Sequence, residues 1–283
     1  MINLIIAGII GLGMGGFLGN QLAQKGITAE NALDKHQKKA RGVFLGLAAI
    51  LTILILVDRL NLYSHAPKIF PIMFLLHLQA NFDEILFGFG CFIFGFLLCL
   101  EIAGISSSQR RNQLLLGIGA ISGCLVLLFY WFSPITNDVG KFKMSDGVVL
   151  QSTTVTCAPA SIATLARTSG KHPEIVEKDV VKLTQTNRLG TNTLGEINAM
   201  EQLGLNPDYH YDMTLDELIK QNKLALLHVK QRWLSQQFPH AVALLKIDPK
   251  NKAFMIGNPL FGLDIVTAEQ MKDYWFGEVI LVN

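Results

Sequence analysis

The chain has 283 residues, half of them hydrophobic, and a formal net charge of only +2. The charge is small and no basic stripe is interleaved with aromatics, which argues against a nucleic-acid partner. The apolar residues are also unevenly spread: long uncharged stretches dominate up to about Phe132, and ordinary globular composition follows.

Four stretches approach the roughly 20 residues a membrane span requires: residues 2–19, 42–57, 85–105 and 114–132. The first has no basic n-region and no convincing cleavage site, so it reads as retained rather than processed. The run 69–78 is too short to span and is bounded by Pro67, Pro71 and His77, which suggests an interfacial or re-entrant segment. Lys25, Lys35, Lys38, Lys39 and Arg41 lie between the first two spans, and Arg110 and Arg111 between the last two. The second loop has only Arg59 and Lys68. By the positive-inside rule the two basic loops are cytoplasmic, placing the N-terminus and everything after the fourth span outside.

Gly11, Gly15 and Gly19 recur every four residues, as do Gly119 and Gly123, a spacing that lets helix backbones approach closely. Packing within the chain is the simpler expectation, with a homo-dimer or another membrane protein as the alternative. Glu101, near a span's end, is expected to snorkel. His65 and His77 suggest a metal or haem pair less strongly than interfacial polar residues. No Walker-type motif and no Cys-x-x-Cys pair occurs, so no cofactor or metal is expected.

The expected organisation is a transmembrane domain over 1–133, a polar linker over 134–146 and a globular domain over 147–283. In the last, 148–151 reads as a strand, followed by a helix from Cys157 to near Gly170. Helices are also expected over 173–183 and 194–203, after a turn at 190–193. Thr214-Leu-Asp-Glu217 is a capping box that starts another. Then the pattern changes to strands over 224–230 and 240–247, with a hairpin into 253–257. Thr267 caps a last helix through Trp275, and 277–282 closes as a strand. Helices first and antiparallel strands second make an α+β domain.

Cys157 is the only cysteine after the spans, since Cys91, Cys99 and Cys124 lie within them. With Thr156 as N-cap and Pro159 in the first turn, its thiol sits at a helix N-terminus, where the macrodipole favours thiolate. Gln151, six residues earlier, can add a donor for an oxyanion beside the Cys157 N–H. His240 at a strand start and Asn258 at the end of its partner strand are expected to meet at one end of the hairpin. A thiol, an imidazole and a group that orients it are the parts of nucleophilic acyl transfer. Asp248 is a weaker rival as orienter. His172, His210 and His228 have no motif partner and read as surface or core histidines, and Trp275 as a core or rim aromatic.

Gln151-Ser-Thr-Thr-Val-Thr-Cys157-Ala-Pro-Ala-Ser resembles the Q-x5-C-G-P-A-A opening of the double-glycine (bacteriocin-leader) peptidase family of papain-like cysteine peptidases. The stretches 190–205, 240–245, 257–262, 267–271 and 275–282 resemble later blocks of that family in the same order. The resemblance implies a papain-like fold with Cys157 as nucleophile, His240 as general base and acid, Asn258 as orienter and Gln151 as oxyanion donor. Two positions depart: Ala158 stands where the family usually has glycine, and Asn258 where it usually has aspartate, although papain itself uses asparagine. Family members often carry an ATP-binding transporter; four spans stand in front here instead.

The expected whole is a four-span bacterial inner-membrane protein with a papain-like cysteine peptidase domain on the periplasmic or extracellular side. It would cleave a peptide or protein precursor, with a Gly-Gly-type leader as the implied substrate. Two readings stand beside this one. In the first, a catalytically silent papain-like binding module recognises a leader or pilin-like segment. In the second, the cysteine carries out peptidyl transfer.

Overall fold

The computed structural model describes residues 2–32, 38–59, 70–105, 107–233 and 236–283. Lys35, His65, Pro67 and Lys68, and with them residues 60–69 of the second loop, lie outside the described residues. The chain divides into two compact units, one up to Tyr130 and one from Trp131 onward.

The first unit is helical: α1 Ile2–Ala23, α2 Lys38–Arg59, α3 Ile72–Ala80, α4 Phe82–Gly104 and α5 Ser107–Phe132. All but α3 contain a window long and apolar enough to cross a membrane. The nine-residue α3 would rise only about 14 Å, under half a hydrocarbon core. Ile9, Phe17, Ile53 and Val126 are exposed, as apolar side chains are when lipid replaces water as solvent.

Helices α1 and α4 pack backbone to backbone. A Cβ at Gly11 would strike the carbonyl of Gly88, one at Gly15 that of Phe92, and one at Gly19 that of Phe96. On α4, a Cβ at Gly95 would strike the carbonyl of Leu12. The Gly11–Gly15–Gly19 stripe is thus filled within the chain, not left for a second copy. Contacts rise together along both helices, so α1 and α4 run parallel.

The second unit is an α+β domain. A short hairpin, β1 Met144–Ser145 with β2 Val148–Val149, precedes three helices: α6 Cys157–Thr168, α7 Glu177–Thr184 and α8 Thr193–Gln202. Then come β3 Pro207–His210, α9 Leu215–Gln221, β4 Ala225–Trp233, β5 Gln236–Asp248, β6 Ala253–Asn258, β7 Gly262–Thr267, α10 Ala268–Tyr274 and β8 Trp275–Val282. The six-stranded sheet has the order β3-β8-β4-β5-β6-β7, and every neighbouring pair is antiparallel.

Helix α6 is buried on every side from Ala158 to Ala166, which explains its small and apolar residues. Ser161 Oγ donates to the Ala241 carbonyl of β5 at 3.0 Å, and Thr164 Oγ1 accepts the Val149 N–H at 2.9 Å. These two bonds fix the helix between the sheet and β2. Leu227, Val229, Val242, Leu244, Phe254 and Ile256 form a core with Leu218 of α9 and Met271 of α10.

The helices and the central hairpin lie where the sequence places them apart from end residues, except that α7 starts at Glu177, with Val176 as its N-cap, and leaves Pro173 outside it. Three differences are real. His240 lies inside β5, which begins four residues earlier, rather than at a strand start. The edge strands β3 and β7 have no expected counterpart. Asp248 uses its carboxylate on the N–H groups of Lys250 and Asn251, closing the β5–β6 turn.

Candidate active site

Cys157 opens α6, the most buried helix of the domain, so its thiol is anchored by the core itself. Thr156 precedes it but does not cap the helix with its side chain. The Thr156 hydroxyl instead accepts the Thr153 N–H and donates to the Thr153 carbonyl, both at 3.2 Å, curling the 153–156 loop on itself. The backbone N–H groups of Ala241 and Ala158 favour the charged form of the thiol, each lowering its pKa. Ala241 follows His240 directly, so the thiol and the imidazole are carried at adjoining points of α6 and β5.

His240 is buried, and its Nε2 lies 3.1 Å from Asn258 Oδ1. The backbone of His240 pairs with that of Val229, and Asn258 ends the neighbouring strand β6. The Leu260 N–H also donates to Asn258 Oδ1, at 3.0 Å. With Oδ1 accepting, the imidazole carries its proton on Nε2 and presents a lone pair on Nδ1.

Gln151 is held by its backbone N–H on the Pro259 carbonyl, at 2.9 Å. Its Nε2 donates to the Thr153 carbonyl at 2.7 Å, which leaves the second N–H of that nitrogen for another acceptor. Gln151 Oε1 is buried and meets no donor among the described residues. Glu177, itself buried, accepts the Ser152 N–H at 2.8 Å and so pins the loop between Gln151 and the helix.

Burial decides the resting charge state. It pushes the Cys157 thiol up, against the lowering effect of the Ala241 N–H, and the Glu196 carboxylate adds to the rise. It also pushes the His240 imidazole down, against the raising effect of the Asn258 hydrogen bond. Both shifts favour neutral forms. The helix N-terminus favours a thiolate, and desolvation of the sulfur acts against it.

Sequence reasoning missed a second ionisable group of side chains. His228 Nε2 lies 2.8 Å from Glu196 Oε2, and His228 Nδ1 lies 2.8 Å from Glu278 Oε1. Glu278 Oε1 also accepts the Tyr209 hydroxyl at 3.1 Å and the Thr193 hydroxyl at 3.3 Å. Burial alone would push the His228 imidazole down, but the two carboxylates override it and hold it well above its ordinary range. Burial likewise pushes Glu278 up, and the His228 charge overrides it, so that Glu278 is lowered. This is an imidazolium clamped on both nitrogens, with no lone pair for proton transfer. The β4–β8 register shifts at His228, and the bulged segment opposite includes Gly277 at a φ of 95°, a glycine conformation. One signal was available in the sequence: His228 and Glu278 each interrupt an apolar strand. The other two histidines are plainer, His172 against the Leu203 carbonyl at 3.1 Å and His210 beside Asp208 at 3.1 Å. Trp275 is buried, with its Nε1 on the Glu278 carbonyl at 2.8 Å.

Comparison with protein families matches residues 145–283 to the peptidase C39 family. Among solved structures, a double glycine motif protease from an AMS/PCAT transporter in complex with the leader peptide is 20% identical, over 50% of this chain and 91% of that one, with a TM-score of 0.40. The peptidase domain of Streptococcus ComA, described as a bi-functional ABC transporter involved in a quorum sensing pathway, is 24% identical over 48% of this chain and 96% of that one, with a TM-score of 0.39. The peptidase domain of Streptococcus mutans ComA is also 24% identical, over 48% and 98%, with a TM-score of 0.37. No curated protein matches the chain.

Proposed function

The C-terminal domain of this chain, residues 145–283, belongs to the peptidase C39 family, and from that premise we propose that the protein is a membrane-anchored cysteine endopeptidase acting on a peptide or protein precursor. The observation that carries this reading is the His240 Nε2–Asn258 Oδ1 bond at 3.1 Å, beside a helix that opens on Cys157 and is bonded through Ser161 to the carbonyl of the residue after His240. Asn258 then orients the imidazole, and His240 Nδ1 takes the thiol proton as the sulfur attacks the scissile carbonyl. The Gln151 N–H left over from Thr153 and the Cys157 backbone N–H are the donors for the developing oxyanion. Collapse of that intermediate breaks the C–N bond. The imidazolium returns its proton to the leaving amine, and the acyl group stays on sulfur. A water deprotonated by His240 then hydrolyses the thioester.

The two departures from the family pattern fit this reading. At position 158 the group that favours the charged thiol is the backbone N–H, which alanine supplies as well as glycine does. At position 258 an amide oxygen accepts the imidazole proton as a carboxylate would, without adding a charge. The motif around Gln151 and Cys157 supports a precursor cut after a small-residue pair such as Gly-Gly. The basic residues Lys38 and Arg41, at the start of α2, support a cytoplasmic first loop and hence an extracytoplasmic peptidase domain.

Cys157→Ala in the full chain is expected to abolish precursor cleavage while leaving circular dichroism unchanged, with cleavage read by product mass. Retained cleavage would sink the reading. A second reading on the same fold is a silent module that binds a leader or pilin-like segment. That module predicts unchanged partner binding and cellular phenotype in the same variant. A linked product in place of two fragments would mark peptidyl transfer.

A further inference from the structure

Asparagine is an ambiguous orienter. Its side chain has an acceptor and a donor of nearly the same shape, and a half-turn about the last torsion exchanges them. With the oxygen on His240 Nε2, the imidazole keeps its proton there and Nδ1 stays a base. With the amide nitrogen there instead, Nε2 becomes the acceptor, Nδ1 carries the proton, and the thiol has no base. An aspartate, acceptor-only when ionised, has no such wrong state. A site built on asparagine therefore needs something that decides the orientation.

The surroundings of Asn258 decide it. Asn258 Nδ2 donates to Gln231 Oε1 at 2.9 Å and to the Tyr274 hydroxyl at 3.4 Å. The Tyr274 hydroxyl donates in turn to Gln231 Oε1 at 3.2 Å, so its lone pairs face the amide nitrogen. The Gln231 amide is itself oriented by its Nε2, which donates to the Arg232 carbonyl at 3.1 Å. On the other side of the amide, the Leu260 N–H points at Oδ1. Both acceptors meet the nitrogen, and the Leu260 donor meets the oxygen. Flipping the amide would set oxygen against Gln231 Oε1 and N–H against the Leu260 N–H.

The placement follows from the sheet. His240 pairs with Val229, and Gln231 is two residues further along β4, which returns it to the same face. Tyr274 ends α10, which packs on that face through Met271. Three separate elements thus converge on one amide group.

We infer that Gln231 and Tyr274 are positioning residues that hold the Asn258 amide with its oxygen on His240 Nε2, and so hold the imidazole in the tautomer whose Nδ1 accepts the Cys157 proton. This inference rests on the peptidase reading for its catalytic meaning, but its structural content can be measured without any substrate. Gln231 and Tyr274 also line a cavity of about 310 Å³ that reaches Asn258, and Tyr274 packs against the core as well.

The test is the tautomer of His240, read from long-range proton–nitrogen spectra of the full chain in detergent with labelled histidine. His240→Gln assigns the signal. The native chain is expected to show the Nε2–H form at neutral pH. Gln231→Leu removes the main acceptor and is expected to give a mixture containing the Nδ1–H form. With a cleavable peptide, its kcat should fall about tenfold at unchanged KM, the order of one net hydrogen bond. Gln231→Glu keeps an acceptor against Nδ2 and is expected to match the native chain in both readouts. Tyr274→Phe should shift the tautomer in the same direction, by less. An Nε2–H form unchanged in both Gln231→Leu and Tyr274→Phe overturns the inference, even if Cys157→Ala abolishes turnover. A tautomer that responds while Cys157→Ala still cleaves leaves the positioning role standing and removes the peptidase reading instead.

Discussion

Cys157 and His240 are both pushed toward their neutral forms by burial, and this has a signature in pH. His240 must be neutral to take the thiol proton, and its proton affinity is lowered. The acid limb of kcat/KM is therefore expected below pH 6.5, the ordinary histidine value, and a limb above it would count against His240 as the base. In the resting protein, alkylation of Cys157 by iodoacetamide should climb only on the alkaline side of the ordinary thiol range. Rapid labelling in mild acid that disappears in His240→Ala would show a standing thiolate–imidazolium pair and contradict the neutral resting state. At this scale the sequence was most legible where the signal is local. Gln151 and Cys157 lie in one motif, and the nearness of His240 and Asn258 follows from a hairpin. Gln231 and Tyr274 had no such signal, because they reach Asn258 from different elements and each is unremarkable in its own stretch.

Helix α8 and strands β4 and β8 meet at His228, where one positive charge lies between two carboxylates. Removing it leaves Glu196 and Glu278 facing each other in a largely water-free space. His228→Leu is expected to destabilise the fold by about 3–5 kcal/mol, read as a fall in the thermal midpoint of the full chain in detergent. A change below about 1 kcal/mol would mean that the cluster is solvated and structurally idle. The raised imidazole contributes stability that is complete below pH 6.5 and lost as pH rises through its folded value. The lowered Glu278 contributes stability that is complete above pH 4.5 and lost as pH falls through its folded value. Both contributions are therefore whole between about pH 4.5 and 6.5, and His228→Leu should flatten the profile on the alkaline side. Elements with strong local signals were foreseen: the buried α6, and the capping boxes of α9 and α10, both present. The strands β3 and β7 were not, because short edge strands carry polar residues and depend on the open edge of a neighbour more than on their own pattern.

Across the first unit, the parallel run of α1 and α4 agrees with the count of spans. If α1, α2, α4 and α5 cross in alternation, the first and third must point the same way, and α3 cannot be a crossing. The glycines that allow this contact are selective. Gly15→Leu would drive a side chain into the Phe92 carbonyl, whereas Gly13 has open space around its Cβ position. Gly15→Leu should therefore lower the thermal midpoint in detergent, by the equivalent of about 1–3 kcal/mol, while Gly13→Leu leaves it in place. Equal effects would remove the close contact as a source of stability. The spacing of these glycines was legible in the sequence, but the partner was not, since nothing in α1 names the helix some seventy residues away.

In the globular unit the last strand is not at an edge. β8 lies between β3 and β4, so the sheet stays split until residues 275–282 arrive. Glu278, and with it the clamp on His228, comes with that strand. Strand β3 reaches the sheet only through β8, so one strand holds both an edge of the sheet and half of a buried charge cluster. Fraying of β8 would therefore release β3 and unclamp His228 in a single event, while the β4-β5-β6-β7 ladder that carries His240 and Asn258 keeps its own pairings.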